Sequence, residues 1–327
     1  MIQKKVLRWL LQSNHSQNLS EFIPMIADWL ARIGSINEAW VKPETYRLFQ
    51  QHGFHLTRNH YYSILPDTSK FTEDWWASIP YQSALEKIQK ADIDSIFAAV
   101  LQWADDLAAL PRESPSGFYW NNDMFPPLDA MALYGMLRQY RPSKLLEIGS
   151  GFSTEIALMA ARHTQTKIHC IEPYPGAQLQ ARKTELAELI PLPVQNVPLE
   201  TFDALQPGDF LFIDTTHTVK LGSDVNHLLF NVIPRIQPGV YIHVHDIFLP
   251  YEYPRRWYDE ISIFWNEQYL WLAYFLDNPF VEIILPNYWI SVEKKDELRK
   301  RFQSFDIWTL TNNLGGASGA SLWFRKK

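Results

Sequence analysis

A chain of 327 residues, 46% hydrophobic and 20% charged, has the composition of an ordinary globular protein, with apolar side chains enough for one large core or two modest ones. Its formal net charge of -6 excludes a broadly basic surface and argues against nucleic acid or an anionic membrane as the main partner. The single cysteine, Cys170, excludes an internal disulfide, and its place in an apolar run reads as an inert core thiol.

The first residues include Lys4, Lys5 and Arg8 but no apolar run of secretory length, and the longest apolar stretch, 269–276, falls far short of the ~18 residues a membrane span needs. A cytoplasmic protein is the expectation. Helices are predicted over 6–11, over 21–33 with Ser20 as cap, and over 84–110 with an interruption near 92–94. The breaker-rich Pro111-Arg-Glu-Ser-Pro-Ser-Gly117 marks a domain boundary near 115. Residues 1–115 are then a helical region serving as a lid or an oligomer contact, and 116–327 form the main domain.

From residue 118 the pattern changes. A helix over 129–140 stops before Pro142, and apolar runs then alternate with helical ones. Strands are predicted at 144–149, 167–172, 193–197, 209–214 and 239–245, and helices at 153–163, 177–189 and 224–236. This alternation predicts an α/β fold with a parallel sheet, whose ligands sit at the carboxyl ends of the strands. A Trp-rich helical insertion follows at about 251–279, and 280–285 with 321–324 fit a terminal antiparallel pair of the same sheet.

The stretch Lys144-Leu-Leu-Glu-Ile-Gly-Ser-Gly-Phe-Ser-Thr154 reads as a strand, a glycine turn and a helix start. Its glycines let backbone approach a ligand, and Ser153 or Thr154 suits a helix cap. Glu172 follows at the end of the second strand, where an acid accepts hydrogen bonds from ribose hydroxyls. A dinucleotide would need a small third residue where Thr154 stands, and Glu147 would repel a pyrophosphate. A carboxylate there suits an ammonium-bearing ligand instead.

Glu147-Ile-Gly-Ser-Gly151 followed by Glu172 resembles the first two motifs of class I S-adenosylmethionine-dependent methyltransferases, over roughly residues 120–250. The resemblance implies a Rossmann-like seven-stranded sheet. It implies that Glu147, Gly149, Ser150, Gly151 and Ser153 line the methionine moiety of the methyl donor and that Glu172 holds its ribose. Asn196 would contact adenine, and Asp214 would close the cofactor site.

The fourth strand ends in Asp214-Thr-Thr-His217-Thr-Val-Lys220 and the fifth in His243-Val-His245-Asp246. Neighbouring strand ends bring two carboxylates and one or two imidazoles together, a donor set for a divalent metal. Asp214, His243, His245 and Asp246 are the candidate ligands, with Mg²⁺ or Mn²⁺ favoured and Fe²⁺, Co²⁺ or Zn²⁺ open. The arrangement resembles metal-dependent O-methyltransferases of the catechol, macrolide-sugar and cephalosporin-hydroxylase-like groups. A metal would acidify and position an acceptor hydroxyl. A base would remove its proton, His217 first and Lys220 second.

The acceptor is expected to be a small molecule, sugar-containing or aromatic, held by 118–126 and by 251–257 with 265–269. The 13 Trp, 15 Tyr and 19 Phe would serve such a ligand, but equally a large core. Arg255-Arg256 would receive an acidic acceptor or form a solvated turn. Two rival readings stand beside methyl transfer: an iron-dependent hydroxylase-like oxidoreductase on the same fold, and a methyltransferase-like interaction module.

Overall fold

The computed structural model describes residues 16–302 and 319–327. The chain divides into two compact units, Met1–Thr72 and Glu73–Lys327. In the first, helices Ser16–Ile33 and Pro43–Gln51 flank an antiparallel bridge between Ser35 and Val41, and Trp40 stacks on Tyr62 at 5.8 Å. Ser20 lies inside the first helix instead of capping it. The helix predicted over 6–11 lies outside the described residues.

The second unit is built on a seven-stranded sheet of order β3-β2-β1-β4-β5-β7-β6. The strands are β1 Lys144–Ile148, β2 Lys167–Ile171, β3 Glu188–Ile190, β4 Phe210–Ile213, β5 Tyr241–His245, β6 Val281–Pro286 and β7 Ser321–Lys326. The first five run parallel. β7 enters between β5 and β6, antiparallel to both. The central strands β1, β4 and β5 are buried from Leu145, Phe210 and Tyr241 to their ends, as strands covered on both faces are; β4 is wholly apolar, while β1 and β5 carry Glu147, His243 and His245 inside.

The unit begins well before the boundary expected near 115. Helices Gln82–Gln89 and Ile93–Leu101 bury Ile88, Phe97 and Val100 in the same core as the sheet. Ile93–Leu101 packs on helix Pro127–Tyr140 so closely that a Cβ on Gly135 would lie 2.3 Å from the Val100 carbonyl oxygen. Pro127 starts that helix two residues ahead of the predicted start, because a first-turn proline needs no amide partner.

Three predicted elements differ. β3 lies at Glu188–Ile190 and not at 193–197, because Pro191 and Pro193 cannot donate to a ladder. The helix predicted over 177–189 is only Ala177–Ala181. The helix predicted over 224–236 is a single turn, Asp224–His227, continued by a wide turn and then a tighter one that contains Pro234. No helix among the described residues is long and apolar enough to cross a membrane.

Candidate functional site

The glycine turn after β1 is pinned from below. Glu147 is fully buried, and its carboxylate accepts Ser153 Oγ at 2.7 Å, Thr154 Oγ1 at 2.6 Å and Cys170 Sγ at 3.3 Å. Burial pushes this carboxyl up to about 7, against the pull of those donors. Burial likewise raises the Cys170 thiol, so it stays protonated and inert. Glu147 therefore faces the turn's underside, and the acids at the cavity above are Glu155 and Asp214. Thr154 does not cap with its own backbone; its hydroxyl accepts the Gly151 amide at 3.1 Å and closes the first turn.

Gly149 shows why glycine stands there. Its φ is +79°, and a Cβ would lie 2.1 Å from the carbonyl oxygen of Asp214. The turn thus runs directly against the end of β4. Gly151 has open space where a side chain would project, so its face is free for a ligand.

Above the turn lies a cavity of about 320 Å³, walled by Ser150, Gly151 and Ser153, by Phe125, by Arg182 and by Asp214. Arg182 pairs with Glu155 at 3.0 Å. Glu172 lies at the end of β2, where its two oxygens accept the amides of Ser150 at 3.2 Å and Tyr174 at 2.8 Å. Asn196 is exposed on a short turn, Val194–Asn196, because the third strand has already ended.

The ends of β4 and β5 carry a buried cluster of charged side chains. His217 and Asp246 both adopt left-handed backbone, at φ +56° and +53°, a conformation that costs non-glycine residues energy and gathers at functional sites. His217 Nε2 lies 3.1 Å from Asp214 Oδ1 and 3.4 Å from Asp246 Oδ2, while Nδ1 lies 3.0 Å from Glu267 Oε2. Burial opposes a charge on this ring, but the bonds to Asp214 and Glu267 and the charge of Asp246 win and hold its pKa well above the ordinary value. Both nitrogens then carry protons, and no lone pair is left to act as base. The ring of Trp265 covers it at 4.2 Å.

The carboxylates around the ring differ. Burial works against ionising Asp214, yet the His217 bond and the charge of His245 bring its pKa below the usual range. Burial pushes Asp246 up to about 6, despite the nearby histidines. Glu267, which opens the helix Glu267–Phe275, also accepts Thr215 Oγ1 at 2.7 Å and Trp271 Nε1 at 2.9 Å. Sequence reading placed it only within the acceptor segment 265–269 and missed its role, since nothing in a helix start 50 residues downstream links it to His217. It missed Asp129 too, a fully buried acid that accepts Asn287 Nδ2, Ser321 Oγ and the Ala320 amide. Burial raises the Asp129 pKa, with His245 pulling the other way.

The four expected metal ligands do not converge as a set: Asp214 and Asp246 meet, but on the ring of His217. His243 stacks flat on Phe212 at 4.0 Å and against Trp323, and burial with the charge of His245 keeps it neutral, its pKa far below the usual value. His245 turns Nε2 to the Met124 carbonyl at 3.3 Å. The space between Asp214 and Asp246 is filled by His217. Among the described residues no group of three His, Cys, Asp or Glu side chains is placed to hold a metal ion. The donor set does not fit a divalent metal, which corrects the expectation drawn from strand-end residue types alone.

Other assignments resolve locally. Lys220 is exposed, and its backbone bonds Ser223 and Asn226. Ser223 caps the following helix, and Asp224 accepts the amide and the hydroxyl of Thr216. Arg255 pairs with Glu73 and Asp259, and Arg256 with Glu260.

Residues 146–247, which hold the turn, Glu172, His217 and Asp246, match the model of a family described as a methyltransferase domain. An uncharacterized protein of Archaeoglobus fulgidus is 42% identical over 96 residues, 27% of this chain and 42% of that protein. The chain thus spans under half the length of this curated relative. Among solved structures, the chain is similar to an SAH-bound Podospora anserina methyltransferase, PaMTH1, at 17% identity and TM-score 0.40, over 81% of this chain and 99% of that one. It is also similar to the SAH-bound plantazolicin methyltransferase BpumL at 11% identity and TM-score 0.37, over 76% of this chain and 99% of that one.

Proposed function

We propose that this chain is an S-adenosylmethionine-dependent methyltransferase that methylates a hydroxyl of a small molecule, a sugar-containing acceptor being the first class to test. The family match over 146–247 supports the methyl donor, and one residue carries the chemistry. Asp214 lines the cavity over the glycine turn and also binds His217, so the donor site and the charged cluster share a wall.

In this reading Gly149, Ser150, Gly151 and Ser153 border the methionine moiety, Glu172 accepts the ribose hydroxyls, and Asn196 lies at the adenine end. Glu147 acts from below by fixing the Ser153 and Thr154 hydroxyls. S-adenosylmethionine supplies an electrophilic methyl whose transfer to the acceptor oxygen leaves S-adenosylhomocysteine. An alcohol gives up its proton as that bond forms, and a positioned carboxylate whose pKa lies near the working pH accepts it best. Asp246, raised to about 6, is the base of this proposal. His217 positions Asp214 and Asp246 and carries the compensating positive charge. Trp265 and Phe125 supply flat apolar surface for the acceptor.

The test is calorimetric titration with S-adenosylmethionine, followed by assay of S-adenosylhomocysteine release with hydroxyl-bearing and amine-bearing acceptors. Micromolar binding, about -8 kcal/mol, with turnover on hydroxyl acceptors supports the reading. Absence of binding overturns it, and turnover on amines alone overturns the acceptor class.

A further inference from the structure

The donor types at the ends of β4 and β5 suit a metal, yet a side chain stands where the metal would be. Nε2 of His217 is within 3.1 Å of one Asp214 oxygen and 3.4 Å of one Asp246 oxygen. A divalent ion bridging the same oxygens would sit at 2.0–2.6 Å from each, roughly 1 Å closer than the ring nitrogen. Ring and ion cannot share that space. The ring is also locked from behind, because Glu267 holds Nδ1 at 3.0 Å while itself receiving Thr215 and Trp271. Asn266 and Glu267 further donate their amides to the His217 carbonyl, at 3.1 and 3.3 Å, so the backbone is fastened to the same helix as the side chain.

We propose that the His217 side chain takes, as a built-in organic cation, the place of a divalent metal between Asp214 and Asp246, so that the cluster works without a metal and becomes a cation site only when that ring is removed. The helix Glu267–Phe275 is the device that holds it, and Glu267 is a positioning residue. This follows from the arrangement around His217 and deepens the proposed function, but its readout is metal binding, which does not depend on methyl transfer.

Mn²⁺ is the probe, followed by calorimetry and by electron paramagnetic resonance. The unsubstituted chain is expected to take up no Mn²⁺ below about 1 mM, and its S-adenosylmethionine binding should be unchanged by chelator. His217→Ala leaves three acids without their cation and should bind Mn²⁺ at least about tenfold more tightly than the parent, as an oxygen-ligand site does. Adding Asp246→Asn should abolish the gain. If His217→Ala does not fold alone, recovery of its circular dichroism on adding Mn²⁺ is the expected result. Tight Mn²⁺ binding by the parent protein overturns the proposal. So does a His217→Ala protein that is folded yet binds no Mn²⁺, or one that stays unfolded with Mn²⁺ present. S-adenosylmethionine titrated into the same samples reports separately on the methyltransferase reading.

Discussion

His217 and Glu267, 50 residues apart, form one ion pair at 3.0 Å, and it ties the loop after β4 to the Trp-rich insertion. The insertion is therefore part of the candidate site. Because Glu267 is 1% exposed, its removal leaves a buried charge without its counter-charge.

Glu267→Gln keeps the shape and removes the charge. With its Nδ1 partner neutral, the His217 ring loses one of the groups that hold its proton. The expected outcome is a fall in kcat of at least about tenfold with the S-adenosylmethionine Kd changed less than about threefold, together with an altered pH–rate profile. A fall in cofactor affinity alone would assign Glu267 to the wrong half of the site.

Asp246→Asn tests the base. Removing a general base typically costs about 10²–10⁴ in rate, and calorimetry should show donor binding intact. Wild-type turnover in this variant would move the base elsewhere in the cluster.

Glu172→Ala removes the acceptor of the Ser150 and Tyr174 amides and the expected ribose contact. Hydrogen bonds to a charged group are worth about 1.5–3 kcal/mol, so the S-adenosylmethionine Kd should rise about tenfold or more. An unchanged Kd removes the assignment.

The buried carboxyl of Glu147 makes stability depend on pH in a defined direction. Its folded pKa, raised by burial to about 7, exceeds the ordinary 4.5, so between these values the native state binds more protons than the unfolded chain. Stability linked to this group therefore falls as pH rises through that window, by about 3 kcal/mol in all, and is flat outside it. Urea denaturation at pH 5 and pH 7.5 should show the loss in the parent and a smaller one in Glu147→Gln. Equal slopes in both proteins would show that the carboxyl is ionised without penalty.

Much of this was legible from residue types in order. The periods of 2 and 3.6, the glycine turn and the acid after β2 are local signals, and the elements they mark lie where local physics puts them. The terminal antiparallel pair was legible for the same reason, since 280–285 and 321–324 are apolar runs of strand length. What was not legible depends on orientation. Residue type makes His243 and His245 equal candidates, but the β4–β5 register sets His243 opposite Phe212, which turns it into an aromatic stack. The role of His217 depends on Glu267, and the charge on His245 is influenced by Asp129; both groups come from segments distant in sequence. A short strand squeezed against two prolines, β3, escaped for a third reason: three residues carry too little periodicity to read.

The place of β7 has a consequence for the order in which the molecule can be assembled. Among the described residues, β6 is made before β7 and pairs with no strand but β7, and β5 likewise keeps an open edge until residues 321–326 arrive. As a chain emerges from its amino end, the parallel half can form first while β6 waits. The same arrival delivers Ala320 and Ser321 to Asp129, the acid whose charge reaches His245 and Asp246. The electrostatic setting of the cluster is therefore finished only by the last strand, and a nascent chain that stops short of it has the turn and the cavity walls but an untuned centre.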